Sequence, residues 1–243
     1  MHTEIKHVGD QTNKRVLFMS TLLATRIAGL LILISTSSFM YADSIIYELL
    51  TKPDFLEQAA LNRSSLAFAA LLEFINCAAV IGMSILIYPT IRQYSERVAI
   101  GYVSGRLIEG ATLITGAVTL MTLIAMGKQV IENPEVSSEY LYMMGSALKS
   151  ERWFGFLMGM FSLGLCGFLL NITLYQYRLI PRAISVLGMI GYAVLLLKVA
   201  FDYFGLDFSG AWMYIPGGIY ELLFPLWMIF KGFDLSAKPK VQA

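Results

Sequence analysis

The sequence predicts an all-α, polytopic membrane protein of six transmembrane helices with both termini in the cytoplasm. Three observations carry that expectation. Of 243 residues, 57% are hydrophobic and only 14% charged, where a soluble domain holds roughly 25% charged residues; mean hydropathy is +0.65. The apolar residues gather into six runs, 17–41, 65–88, 98–126, 153–177, 183–205 and 211–230. Each reaches the roughly 20 residues that an α-helix needs to cross a hydrocarbon core of about 30 Å. The basic residues, finally, fall unequally on the two sides that such a chain defines.

The first run follows a polar leader, residues 1–16. It is too long for a signal-peptide core and no small-x-small cleavage site follows it, so it reads as a retained span. The second and third runs, 65–88 and 98–126, are joined by a short basic turn. The fourth carries no charge between Arg152 and Arg178, and the fifth and sixth follow it closely. The runs are too long for membrane strands and lack the alternation of a barrel. The domain thus covers residues 17–231, with a short polar tail from 232 to 243.

Loop charge orients the bundle. The leader, the turns at 91–97 and 178–182 and the tail hold Lys6, Lys14, Arg15, Arg92, Arg97, Arg178, Arg182, Lys231, Lys238 and Lys240. The opposite loops, 42–64 and 127–152, hold Lys52, Arg63, Lys128, Lys149 and Arg152 and are rich in Asp and Glu. The basic side is the cytoplasmic one. Residues 134–148 form either a short helix lying on the outer surface, with Leu141, Met144 and Leu148 toward lipid, or a solvated cap over the bundle.

Composition also narrows function. A net charge of +1 leaves no electrostatic footprint for nucleic acid. Both histidines, His2 and His7, lie in the leader, so no His is available in the membrane to ligate haem or a metal. Cys77 and Cys166 show no metal-binding spacing. We expect no cofactor and no metal. Nucleophilic catalysis finds neither a His base nor a Ser or Cys in a recognisable elbow. Gly101 and Gly105, and Gly155 and Gly159, stand four apart, a spacing that lets helices pack closely within one chain or between chains. Partners are then membrane lipids and a second copy or another protein on those faces.

Ionisable residues inside a span are costly unless paired or wetted, which makes them the default candidates for function. At 1.5 Å per residue, Arg26, Glu73, Arg106, Glu109 and Glu221 all fall roughly 12–16 Å from the nearer end of their runs. Arg106 and Glu109 share a helix face at i, i+3, and Asn76 shares one with Glu73. The expectation is a buried network of these six residues, formally two positive and three negative charges. In a low dielectric, one carboxyl would be protonated or would share a bound cation. Pro225 removes the helical partner of the Glu221 carbonyl, and Pro216, Gly217 and Gly218 precede it. This pattern suits either an interrupted transport helix or a kink satisfied by neighbours. Lys198 and Asp202, at i, i+4 in the fifth run, are a secondary pair, read as an interfacial Asp with a snorkelling Lys.

A set of short motifs runs in order along the chain. Arg26-Ile27-Ala28-Gly29-Leu30-Leu31 comes first, then Glu73 and Arg106-Leu107-Ile108-Glu109. Pro181-Arg182, Leu187-Gly188 and Gly191-Tyr192 follow, then Glu221-Leu222-Leu223, Leu226-Trp227 and Lys231-Gly232. In that order the chain resembles the bacterial membrane family catalogued as domain of unknown function 4386. The resemblance implies a six-helix protein of a bacterial cytoplasmic membrane and supplies neither substrate nor mechanism. Three functions remain open, in this order: a mid-membrane site that binds or conducts a small solute, ion or proton; a non-catalytic accessory or assembly subunit of a larger membrane complex; and a membrane enzyme, which would need a cleft with a lipid-shaped opening and a carboxylate facing it.

Overall fold

The computed structural model describes residues 2–133, 138–206 and 210–236, with side chains from residue 21 onward except Ser138 and Ala211. Among these residues there is no strand. Seven α-helices run in order: α1 His2–Leu50, α2 Phe55–Leu61, α3 Arg63–Arg92, α4 Glu96–Glu132, α5 Ser138–Gln176, α6 Arg182–Tyr203 and α7 Ile215–Phe230. A 3-10 turn, Ala211–Tyr214, leads into α7. Six of the segments are long and apolar enough to cross a membrane, the last being Trp212–Phe230.

The six long helices close into a ring. Each packs on its neighbour in the chain, α1 on α3, α3 on α4, and so on to α7, which returns to α1. One side of the ring carries the tight turns between α3 and α4 and between α5 and α6; we call it the Arg97 side. There Ser95 caps α4, its Oγ accepting from the Val98 N–H at 3.4 Å. The Asp234 N–H donates to the Leu179 carbonyl at 2.8 Å, fastening the chain after α7 to the α5–α6 turn. The short helix α2 lies on the opposite side.

The two loops expected on the α2 side are largely helical. α4 continues to Glu132 and α5 begins at Ser138. With 39 residues, α5 is about 58 Å long, nearly twice the hydrocarbon core. Residues 138–148 are therefore neither a separate surface helix nor a loose cap, but the first turns of α5; 134–137 lie outside the described residues. Leu141, Tyr142 and Leu148 pack on a buried cluster around Phe55, Leu56, Leu120 and Leu123, and Met144 is exposed. The charges that marked this stretch as loop sit on the faces of a helix that outruns the bilayer.

α2 is seated on α4 by a close backbone approach: a Cβ on Gly127 would lie 1.9 Å from the Leu56 carbonyl oxygen. The Phe55 ring meets Tyr142 edge-on at 5.2 Å, and the Tyr142 hydroxyl donates to the Glu57 carboxylate. A second cluster, built on Met83, Ile87, Leu170, Leu174, Leu179 and Met228, fills the ring toward the Arg97 side. The outward faces are apolar and exposed, as at Ile100, Leu107, Ile108, Val118 and Met121 of α4. With no water to satisfy backbone groups in lipid, a helix presenting such a face is the stable arrangement, and these surfaces are suited to lipid contact.

Candidate functional site

A cavity of about 640 Å³ occupies the centre of the ring and takes lining residues from all six long helices. Its floor, toward the Arg97 side, is formed by Met83, Tyr102, Tyr220 and Phe224, all buried. Its wall is mostly apolar, and the rings of Phe39 and Phe156 stack across the interior at 5.8 Å. Toward the α2 side the lining reaches exposed residues of α1, α5 and α7, among them Met40, Tyr47, Trp153 and Gly218. The cavity is thus closed at one end and open at the other.

Five of the six central candidates line it: Glu73, Asn76, Arg106, Glu109 and Glu221. Arg106 lies across one turn of α4, its guanidinium donating to a Glu109 carboxylate oxygen at 2.8 Å and its Nε to the Tyr102 hydroxyl at 3.1 Å. That hydroxyl donates in turn to the Met83 sulfur at 3.5 Å. The i, i+3 spacing makes the pair a local product of the α4 helix. Asn76 accepts a hydrogen bond from Ser35 at 2.5 Å, tying α3 to α1.

Arg26 does not join them. It is exposed on α1, one position past buried Thr25 and two before buried Ala28. Successive helical side chains are rotated by about 100°, so a residue can share the depth of a buried neighbour and still face out. Its long stem suits it to run along the helix toward the Arg97 side.

The arginine that meets Glu73 is Arg152. Both its terminal nitrogens donate to the carboxylate, Nη1 to Oε2 at 3.0 Å and Nη2 to Oε1. This fork-on-fork geometry is the strongest form of the pair, and Glu73 is only 3% exposed. Arg152 reads from the sequence as a loop residue because the fourth apolar run starts after it. Once α5 begins at Ser138, Arg152 falls well inside the bundle and crosses Gly116, whose Cβ would lie 2.6 Å from Nη1. The Glu151 side chain beside it accepts from the Thr119 hydroxyl at 2.8 Å.

Glu221 has a different setting. It is partly exposed to the cavity and makes no hydrogen bond or ion pair among the described residues. Arg106 and Glu109 are within its electrostatic reach. Pro216, Gly217 and Gly218 do not break α7 in mid-membrane. They form its first turn, with the proline at the helix start where its missing N–H costs nothing. Pro225 lies within the helix. Gly191 of α6 sits against this first turn, its Cβ position 2.8 Å from the Gly217 Cα, which brings the two backbones together beside the cavity.

Lys198 and Asp202 form a buried ion pair, with side chains 8% and 11% exposed, rather than a pair at an exposed interface. The Lys198 ammonium also lies 5.3 Å from the Tyr214 ring centroid. Tyr214 lines the cavity near its open end, so the pair acts as a strut that fixes the 3-10 turn on α6. Gly105, Gly155 and Gly159 pack within the chain, against Cys166, Thr112 and Thr115, whereas Gly101 faces open space. Cys77 and Cys166 are free and buried. Among the described residues no group of three or more His, Cys, Asp or Glu is placed to hold a metal ion.

The charges that line the cavity can be counted. Glu73 with Arg152 and Glu109 with Arg106 cancel. Asp43 and Lys149 lie nearer the mouth, where Lys149 donates to the Leu50 carbonyl at 2.5 Å. Glu221 remains without a cation of its own. No curated protein and no solved structure matches the chain. A family profile does match residues 27–232, nearly the whole bundle and all the cavity-lining helices. The protein therefore belongs to the family described as domain of unknown function DUF4386.

Proposed function

We propose that this protein is a solute-binding membrane protein of transporter type, whose central cavity takes a small solute, or an ion or proton, from the α2 side. The observation that supports it is the cavity itself: a pocket closed toward the Arg97 side, open toward the other, and holding Glu221 deep inside it with no hydrogen bond or ion pair among the described residues, while exposed Asp43 lies nearer the mouth. A purely structural network has no need of the empty space or of an unpaired acid, since an ionisable group inside a bilayer is costly unless paired or wetted. In this reading Glu109 and Glu221 bind the solute or its coupling proton, and Arg106 and Arg152 hold the geometry. Following the loop charges, we place the α2 side outside and both termini inside a bacterial cytoplasmic membrane.

The test is solvent access. Cys77 and Cys166 are replaced by Ala, and Thr36→Cys is introduced on the cavity wall. A control, Ile108→Cys, sits on the lipid face. A membrane-impermeant methanethiosulfonate reagent is then applied to intact cells. The expected result is modification at position 36 and none at 108. A Thr36→Cys protein that stays unmodified while folded in the membrane, also in inside-out vesicles, would mean a dry interior and would overturn the proposal.

A further inference from the structure

Resting on the reading of the cavity as a solute site, we infer that its ligand is an amphiphilic organic cation, a protonated amine or quaternary ammonium on an apolar body, anchored by Glu221. Four features of the cavity select this class. The first is charge. Arg106 and Arg152 are each occupied by a carboxylate, at 2.8 Å and in a bidentate pair, so an incoming anion finds no free arginine and would add to the uncompensated charge of Glu221. A neutral molecule would leave that charge where it was. A monovalent cation brings the deep cavity to neutrality, which is the state a low-dielectric interior favours.

The second is the wall. Tyr102, Tyr192, Tyr220 and Phe224 line the same pocket as Glu221, the Tyr102 ring already carrying the Arg106 guanidinium 5.3 Å from its centroid. The Tyr192 and Tyr220 rings meet edge-on at 5.5 Å, and Tyr220 stacks on Phe224 at 5.1 Å. Aromatic faces beside a carboxylate are the usual surroundings of a quaternary or protonated amine. The third is the setting for a bare ion: among the described residues no group of three or more His, Cys, Asp or Glu is placed to hold a metal ion, and a mostly apolar wall does not replace a hydration shell. The fourth is the entrance, bordered by exposed Met40, Tyr47 and Trp153, which suits a molecule that arrives with an apolar body.

A proton competes for the same carboxylate. The ionisable groups that face it are Arg106 and Glu109 from α4, Tyr192 from α6 and Tyr220 from α7 itself. The rest of the lining contributes Asp43 and Tyr47 of α1, Glu73 of α3, Tyr102 of α4, Lys149 and Arg152 of α5 and Tyr214 of the 3-10 turn. Binding of the cation then excludes the proton from Glu221, and the two occupants exchange.

The experiment uses two ions of one shape and opposite charge. The full-length protein in phosphatidylcholine nanodiscs is titrated calorimetrically with tetraphenylphosphonium and with tetraphenylborate, empty nanodiscs being subtracted. The expected result is saturable binding of the cation, at least about tenfold tighter than the anion. Binding should weaken at least about tenfold in Glu221→Gln and be unchanged in Arg26→Gln. Cation binding should also release protons, read by titrating in two buffers of different ionisation enthalpy. Equal or tighter binding of the anion by the unaltered protein overturns the cationic class while leaving the solute site intact. Undiminished cation binding in Glu221→Gln overturns the anchor. Binding of neither ion overturns the inference, and the thiol-labelling result then decides separately whether the cavity reading survives.

Discussion

At the scale of single residues, the Glu73–Arg152 pair ties α3 to α5 inside the bundle, and both groups depend on it. Removing one partner of a buried pair strands the other charge, which typically costs about 3–5 kcal/mol, whereas replacing both costs far less. Arg152→Gln should therefore lower the thermal midpoint in detergent sharply, and Glu73→Gln with Arg152→Gln should recover most of the loss. Equal midpoints for the single and double variants would show that the pair is not coupled. Arg26, exposed on α1, predicts the opposite: Arg26→Gln should stay within about 0.5 kcal/mol of the unaltered protein in the same measurement. Asp54 lies outside the six candidate spans, and its carboxylate accepts from the Gln58 amide at 2.6 Å, which holds its pKa below the ordinary value of 3.8. A depressed folded-state value means that this contribution is present above about pH 4 and lost as pH falls through the folded pKa. A carboxyl NMR titration should show that lowered midpoint and its return to normal in Gln58→Ala.

At the scale of elements, α2 is the part most exposed to a single change. Its seat on α4 requires hydrogen at position 127, because any Cβ there collides with backbone rather than with a side chain that can swing aside. Gly127→Val should lift α2 and cost about 1–3 kcal/mol. Limited proteolysis within 51–62 should accelerate in that variant while the six long helices stay protected. The sixth span follows another logic. α7 has only 16 residues, about 24 Å, and completes its crossing with the 3-10 turn that Lys198, Asp202 and Tyr214 hold in place. The sequence pattern of proline and glycines looks like an interrupted helix, but in the fold it begins one. Proline at a first turn and proline in a helix interior are the same letter with opposite consequences, and the distinction depends on where the preceding segment ends.

At the scale of the molecule, the ring of helices leaves a central space, and at its mouth Gly217 and Gly218 of α7 put no side chain into it. A Cβ on Gly218 meets nothing within 4 Å. Gly218→Trp should therefore fold with an unchanged midpoint and still protect Thr36→Cys from the thiol reagent by filling the mouth. Protection without loss of stability would separate access from folding; unaltered labelling would show a second route in.

How much of this was legible in the sequence differs by level. Six spans follow from composition and length alone, because burying backbone polar groups in hydrocarbon leaves few options to a chain this apolar. The Arg106–Glu109 pair was legible too, since i, i+3 neighbours on a helix meet whatever surrounds them. Counting residues along each helix put Glu73, Glu109 and Glu221 at one level, and all three line the cavity. Azimuth did not. Depth is one coordinate, and Arg26 and Arg152 differ in the other: the first shares the depth of the site but faces away, and the second was counted out of the membrane because α5 starts earlier than its apolar run. Arg152 stands against Glu73 where Arg26 was expected in the network, and Asp43 and Lys149 add to the charges that line the cavity. The sequence by itself determined that few charges would lie within the six spans, and it assigned Glu73, Arg106, Glu109 and Glu221 to their helices but not Arg152 to α5. Only the tertiary structure decided which of them meet, because partnership depends on how six helices rotate against one another, and no local pattern in one helix records the rotation of the next.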